Sequence, residues 1–377
     1  MKKIYLDYAA ATPVRKEVVK AMQPFFSERF GNPSSTHGMG VETKEAVERA
    51  RAMIKSLLHA TKSDTIIFTG SGTESINLAI KGIVQEGDHI VTTKIEHKAV
   101  LETCRYVEKK GQCTVTYLAV DKSGMVNPQD MEEALTPKTR LIIIQYVNNE
   151  IGTVQPIKEI SKIARKHNLL FHVDACQAGF LDIHVQKLGV DLLTLNGSKI
   201  YGPKGIGMLY VRDGVKIWPI IHGGGQEFGV RGGTENVPGI VGFAKALELV
   251  QKENEKENKR LTLLQKKLIF EIRRSIPGKK INGHPTKHAP HITNVTFQGI
   301  DGESLMKHLS EYEIYVSTGS ACTMYDVDVS HVLTAIGLSK KEARGSIRFS
   351  FGRETTQKDI DVVVRKVKEI VVVLRTL

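Results

Sequence analysis

With 377 residues, 41% of them hydrophobic and 25% charged, the chain can bury one large core or two of ordinary size. That balance excludes a disordered chain, a collagen-like one and a small disulfide-stapled module. Lysine and arginine exceed aspartate and glutamate by 53 to 41, a net charge of +12, but the basic residues are dispersed without aromatic interleaving, which argues against direct nucleic-acid binding.

The N-terminal stretch MKKIYLDYAAATP carries two lysines but no apolar leader core, because Asp7 interrupts it. No segment reaches the ~20 consecutive apolar residues that span a bilayer, so a cytoplasmic protein without membrane contact is expected. From residue 64 to about 211, the short runs TIIFT, HIVTT, CTVTYLAV, RLIIIQ, LLFHVDA, LLTL and GIGMLYV read as strands. Helical patterns such as SINLAIKGIVQEG and IKEISKIARKHN lie between them. Strands alternating with helices predict βαβ units and a mostly parallel sheet, whose ligands bind beyond the carboxyl ends of the strands.

After the Gly-rich segment HGGGQEFGVRGG (222–233), a charged helical pattern runs from about Gly239 to Ser275 and stops before Pro277-Gly278, as a connector would. The last third has its own strand signals (HITNVTF, YEIYVS, SIRFSF) and helix signals (ESLMKHLSEY, DIDVVVRKVKEIVVVL) and reads as a smaller α+β unit.

Three positions on the parallel sheet carry chemistry. GSGTES (70–75) joins a strand to a helix through a Gly-rich turn; its free N–H groups and the hydroxyls of Ser71 and Thr73 suit a phosphate, although the same residues also suit an ordinary N-cap. Asp174, in FHVDACQA, ends an apolar strand and either caps the next segment or pairs with a bound cation such as a protonated ring nitrogen. Lys199, in NGSKIYGPKG, follows the buried strand VDLLTLN, where partial desolvation favours a neutral amine able to form a Schiff base. A phosphate cradle, a ring-nitrogen carboxylate and a Schiff-base lysine are the anchors that pyridoxal 5'-phosphate requires.

The four cysteines, Cys104, Cys113, Cys176 and Cys322, form no C-x-x-C pair, so reduced thiols are expected rather than a zinc site or a disulfide framework. Cys104, Cys113 and Cys176 read as small core residues. Cys322 differs, because STGSACTMYDVD surrounds it with glycine, serine and threonine. The histidines of HPTKHAPH (284–291) lack metal spacing and read as a surface loop, and no metal is expected.

Over nearly its whole length the chain resembles cysteine desulfurases of the NifS/IscS type, class-V aminotransferases of the aspartate-aminotransferase-like fold. The matching stretches include YLDYAAATP (5–13), FGNPSSTHGMG (30–40), EHKAV (96–100), VNNEIGTVQP (147–156), HVDACQ (172–177), KIYGPKGIG (199–207), HGGGQE (222–227), STGSACT (317–323) and SIRFSFGR (346–353). The resemblance implies an α/β fold with a large cofactor-binding domain at 14–256. A small α+β domain would comprise 257–377 together with 1–13.

It further implies that Lys199 binds the cofactor covalently, Asp174 meets the ring nitrogen, and His97 stacks on the ring and shares the acid-base work. Gln177 and Asn149 would reach the phenolic oxygen, Arg348 with Asn149 the substrate carboxylate, and Gly72, Thr73 and Ser198 the phosphate, joined by Thr234 of a second subunit in a homodimer with composite sites. Cys322 would take sulfur from L-cysteine as a persulfide, leaving L-alanine, and pass it to an iron–sulfur scaffold protein or a tRNA-thiolation enzyme. Asn196-Gly197-Ser198 departs from the family's Ser-Gly-His before the lysine. A selenocysteine lyase or aminotransferase of the same fold, or a catalytically quiet sulfur-pathway scaffold, are the alternative readings.

Overall fold

The computed structural model describes residues 2–179, 181–318 and 329–376. Its strands, in chain order, are β1 (Ile4–Tyr5), β2 (Thr65–Thr69), β3 (Asp88–Thr93), β4 (Cys113–Leu118), β5 (Thr139–Gln145), β6 (Leu170–Asp174), β7 (Leu192–Asn196), β8 (Gly207–Val211), β9 (Lys279–Asn282), β10 (Ile292–Phe297), β11 (Ile314–Tyr315) and β12 (Ser346–Ser350).

Seven of them form one sheet in the order β2-β8-β7-β6-β5-β3-β4. Neighbours from β7 to β4 are parallel, and β8 runs antiparallel to both β2 and β7. The mostly parallel sheet predicted from the βαβ rhythm is therefore present, with GIGMLYV as its one reversed strand. Since β2 opposes β8 as β7 does, β2, β3, β5, β6 and β7 all end on the same side. The loops carrying Gly72, His97, Asn149, Asp174 and Lys199 all leave from that side.

The strands alternate between two buried faces. Ile142 and Ile144 of β5 join Phe171, Val173, Leu193 and Phe243 on one side. Leu141 and Ile143 join Ile76, Leu78, Ile90 and Leu209 on the other. Burial on both faces is why these strands read as continuous apolar runs. A separate core gathers Ile4, Leu6, Leu268, Phe297, Phe349 and Val363 around the antiparallel sheet β12-β10-β9 and the parallel pair β1-β11.

One helix, Val237–Ser275, serves both cores. Its first half buries Phe243 and Leu247 under the large sheet, and its second half buries Leu264 and Leu268 in the smaller core. The charged stretch 251–260 lies between the two apolar sets. Proline at the helix start and the Asn236 side chain accepting from Gly239 N explain why it begins where it does.

The Gly-rich segment 222–233 is fastened to the sheet edge by a buried ion pair. Arg51 donates two parallel bonds, 2.9 and 3.0 Å, to the Glu227 carboxylate, which also accepts from Phe68 N at 2.7 Å. The guanidinium lies 4.8 Å from the ring centres of both Phe68 and Phe228. Glu227 and Phe228 take positive φ values, 45° and 60°, a strained pairing that this anchor holds in place. Removing one partner strands a buried charge, so Glu227→Ala is expected to lose about 3–5 kcal/mol of unfolding free energy. Urea denaturation should show the double variant Arg51→Leu with Glu227→Leu to be more stable than that single variant.

Candidate active site

At the carboxyl edge of the large sheet lies a cavity of about 260 Å³. Gly72, Thr73, His97, Asn149, Asp174, Gln177, Lys199 and Arg348 line it, together with Ala9, Ala10, Gln145, Cys176 and Asn196.

The helix Gly72–Lys81 points its N-terminus at this space, and Ser71 caps it by accepting from Glu74 N at 3.1 Å. First-turn N–H groups have no acceptor within a helix, so Gly72 and Thr73 present donors to an anion. A Cβ at 72 would come within 2.8 Å of Cys176 Sγ and 3.3 Å of Asn196 Cβ, so any larger residue there would have to displace the cavity wall.

Asp174 ends β6 at 6% exposure. One carboxylate oxygen accepts from Cys176 N at 3.0 Å, and no cation among the described residues forms an ion pair with it. The contact to Cys176 N is a local turn two residues long rather than a helix cap, and the carboxylate has no described cation of its own. Burial and the Asp174 charge push the Cys176 thiol well above its ordinary range. Cys176, read from the sequence as a core residue, instead forms part of the cavity wall. Its position right after Asp174 on a strand end was the available signal.

Lys199 sits in a tight turn, Gly197–Lys199, after β7. Its amine donates to the carbonyls of Ala9 and Ala10 at 2.9 and 2.5 Å, and Gln177 Nε2 donates to the same Ala9 carbonyl at 2.8 Å. The N-terminal segment reaches this loop because Thr12 N donates to the Ser198 carbonyl and Tyr201 N to the Thr12 hydroxyl. Sequence reasoning gave Ala9 and Ala10 no role, since two alanines signal nothing chemically and their neighbourhood is set by contacts nearly 190 residues away.

His97 caps the helix Lys98–Lys109, with Nδ1 accepting from Ala99 N at 3.1 Å, so its proton resides on Nε2. Arg348 is 3% exposed; it donates to Asp7 Oδ1 at 2.8 Å and to the Asn149 carbonyl at 2.9 Å. Its Nε is buried and finds no acceptor among the described residues.

These features fit pyridoxal phosphate and an amino acid. The unpaired carboxylate suits a ring cation, the helix N-terminus a phosphate, and the orphaned guanidinium donor an α-carboxylate. Ser198 and Thr234 do not line the cavity. Ser198 turns its carbonyl to Thr12, and Thr234 is exposed beyond the Gly-rich segment. Cys322 lies outside the described residues. The loop expected at the surface, 284–291, is exposed at 285–287, but its second half packs inward, burying His291 and placing Ala289 N on the Gly152 carbonyl.

Two buried acids beside the cavity escaped sequence reasoning. Glu96 is fully buried, and desolvation, reinforced by Asp174, raises its pKa to about 8 despite bonds from the Thr93 hydroxyl and Gln145 N. Glu150 is raised to about 7 by burial, opposed by the Ser330 hydroxyl and the Arg348 charge. Both adjoin residues singled out from the sequence, which is where the signal lay.

The class-V aminotransferase model matches residues 4–363. The chain is 49% identical to the cysteine desulfurase IscS of Dictyoglomus turgidum over 381 residues, covering 100% of this chain and 96% of that one. Among solved structures, a NifS-like protein superposes with a TM-score of 0.92 at 39% identity, covering 99% of this chain and 100% of the other. SspA in complex with cysteine superposes at 0.82 with 42% identity, covering 93% and 99%.

Glu96 keeps in the folded state a proton that the unfolded chain loses above its ordinary pKa of 4.5, so it lowers stability as pH rises from about 4.5 to 8. Glu96→Gln mimics the neutral acid. Thermal melts should show it gaining on the unsubstituted protein between pH 6.5 and 8, by at most about 1.4 kcal/mol per pH unit. Parallel pH profiles would show instead that Glu96 is ionised in the fold.

Proposed function

This chain belongs to the class-V aminotransferase family, and from that premise we propose that it is a pyridoxal-phosphate-dependent cysteine desulfurase, converting L-cysteine to L-alanine and passing the sulfur to Cys322 as a persulfide. The observation that carries the reading is the juxtaposition, on one cavity, of an amine on Lys199, a buried carboxylate on Asp174 and a guanidinium with an unused donor on Arg348.

Asp174 would hold the ring nitrogen, Gly72 and Thr73 the phosphate, His97 the ring face, and Gln177 and Asn149 the phenolic oxygen. Ser198, and Thr234 of a second copy, would complete the phosphate shell. The cofactor, when bound, would supply a sink for the electron pair released from the substrate Cα. Arg348 orients the substrate through its carboxylate. The Lys199 amine holds the cofactor and then moves a proton at the substrate Cα, with His97 Nε2 placed to donate a proton as the product forms.

Cys322 takes the sulfur. As a thiolate it bonds to the substrate sulfur, the Cβ–S bond breaks, and its electron pair stays on carbon, which leaves as L-alanine after protonation. The described chain on either side supports this role. Ser317 and Arg348 exchange backbone bonds, Ser330 is bonded to Glu150, and Cys322 is four residues from Thr318, a reach of at most about 14 Å.

Phe26, Phe30, Trp218 and Phe228 are each nearly two-thirds exposed, and a homodimer whose sites are completed across the interface would give such apolar side chains a partner surface. Cys104 and Cys113 are buried free thiols, as suits a reducing cytoplasm. An iron–sulfur scaffold or a tRNA-thiolation enzyme would receive the persulfide sulfur.

Absorbance of the purified protein with L-cysteine, and sulfide and alanine assayed in the same tube under reductant, tests the reading. Equal sulfide and alanine are expected. Cys322→Ser should keep the cofactor band and lose at least ~100-fold in sulfide release, whereas Lys199→Ala should lose the covalent cofactor band. A keto acid in place of alanine would move the chain to the aminotransferases.

A further inference from the structure

The helix His331–Ala335 is only five residues long, too short to persist on its own, yet it is attached at two points to the loops that carry His97 and Asn149. The Ser330 hydroxyl donates to Glu150 Oε2 at 2.5 Å while accepting from Leu333 N at 3.1 Å. His331 Nε2 donates to the Glu96 carbonyl at 2.9 Å. Between the two bonds, Val332, Leu333 and Ile336 pack against Ile95 and Ile151.

The landing points are specific. Glu96 immediately precedes His97 on the loop after β3, and Glu150 immediately follows Asn149 on the loop after β5. Both acids are buried, and Ser330 is nearly so. Neither Ser330 nor His331 lines the cavity. The Asn149 carbonyl, one residue from the Glu150 attachment, accepts the Arg348 guanidinium at 2.9 Å. A displacement of Glu150 is therefore transmitted through a single peptide unit to the group that orients Arg348.

We propose that Ser330 and His331 are positioning residues that, through Glu150 and the Glu96 carbonyl, hold Asn149, Arg348 and His97 in the geometry that binds an amino-acid carboxylate. The assignment rests on the reading of the cavity as an amino-acid site. It separates the residues that touch the substrate from those that set its affinity, and places the latter on a helix outside the cavity.

The test uses the full chain with bound pyridoxal phosphate and four variants. Ser330→Ala removes both the bond to Glu150 and the helix cap, Glu150→Ala removes the bond together with the buried carboxyl group but leaves the cap, and Ser330→Thr and Glu150→Gln preserve the bond. Three quantities are read: KM and kcat for L-cysteine, the Kd of L-alanine from the cofactor absorbance, and backbone hydrogen exchange over residues 146–152. Ser330→Ala and Glu150→Ala should each raise KM and the alanine Kd about tenfold, the worth of one hydrogen bond to a charged group. In both, kcat should stay within about twofold and exchange at 146–152 should quicken. The two conservative variants should stay within about twofold of the unsubstituted protein throughout.

An unchanged alanine Kd in Ser330→Ala and Glu150→Ala, even with a lowered melting temperature, would overturn the proposal by making the contact merely structural. A tenfold loss in Glu150→Gln would overturn it too, by showing that the charge and not the bond is responsible. Should the unsubstituted protein release no alanine from cysteine, the desulfurase reading fails, while alanine affinity and exchange at 146–152 still judge the positioning role.

Discussion

Asp174 carries a carboxylate at the buried end of β6, and no described cation neutralises it. A charge in that position is expensive unless a partner arrives, and its field organises what surrounds it. Burial, reinforced by this charge, pushes Glu96 toward the neutral acid and raises the Cys176 thiol, while burial overrides its pull on His172 and lowers that imidazole to about 4. His172, on the same strand, is thereby neutral, and the Asp174 carboxylate faces the cavity. A protonated heterocycle would pair with it without a second protein charge.

The remaining walls follow from where strands end. Six strands of the large sheet stop on one side, and all but β4 deliver one loop each to the cavity. The sixth wall comes from the chain's beginning. Ile4 and Leu6 are embedded in the smaller core, Asp7 bonds to Arg348, and Ala9 and Ala10 offer carbonyls to Lys199. The N-terminal segment thus joins the smaller core to Lys199, and Asp7 near the chain's start shares the Arg348 guanidinium with Asn149.

Much of this was legible in the residues themselves. Apolar runs without alternation reported strands buried on both faces, Ser71 and the glycines around it reported a helix start, and Asp174 and Lys199 stood out as polar groups at strand ends. The order of the motifs along the chain was enough to indicate the family. In each of these cases the determining contacts are local, within one turn or one strand of the residue that signals them.

What the sequence by itself determined, then, was the βαβ architecture and the identity of the chemical groups. Only the tertiary structure decided that Ala9, Cys176, Glu96 and Glu150 belong with them, that β8 is reversed, and that 289–291 turns inward. The physical reason is range. A carbonyl, a thiol or a carboxylic acid acquires its function here from desolvation and from partners tens to hundreds of residues away, and no periodicity in the chain encodes either one.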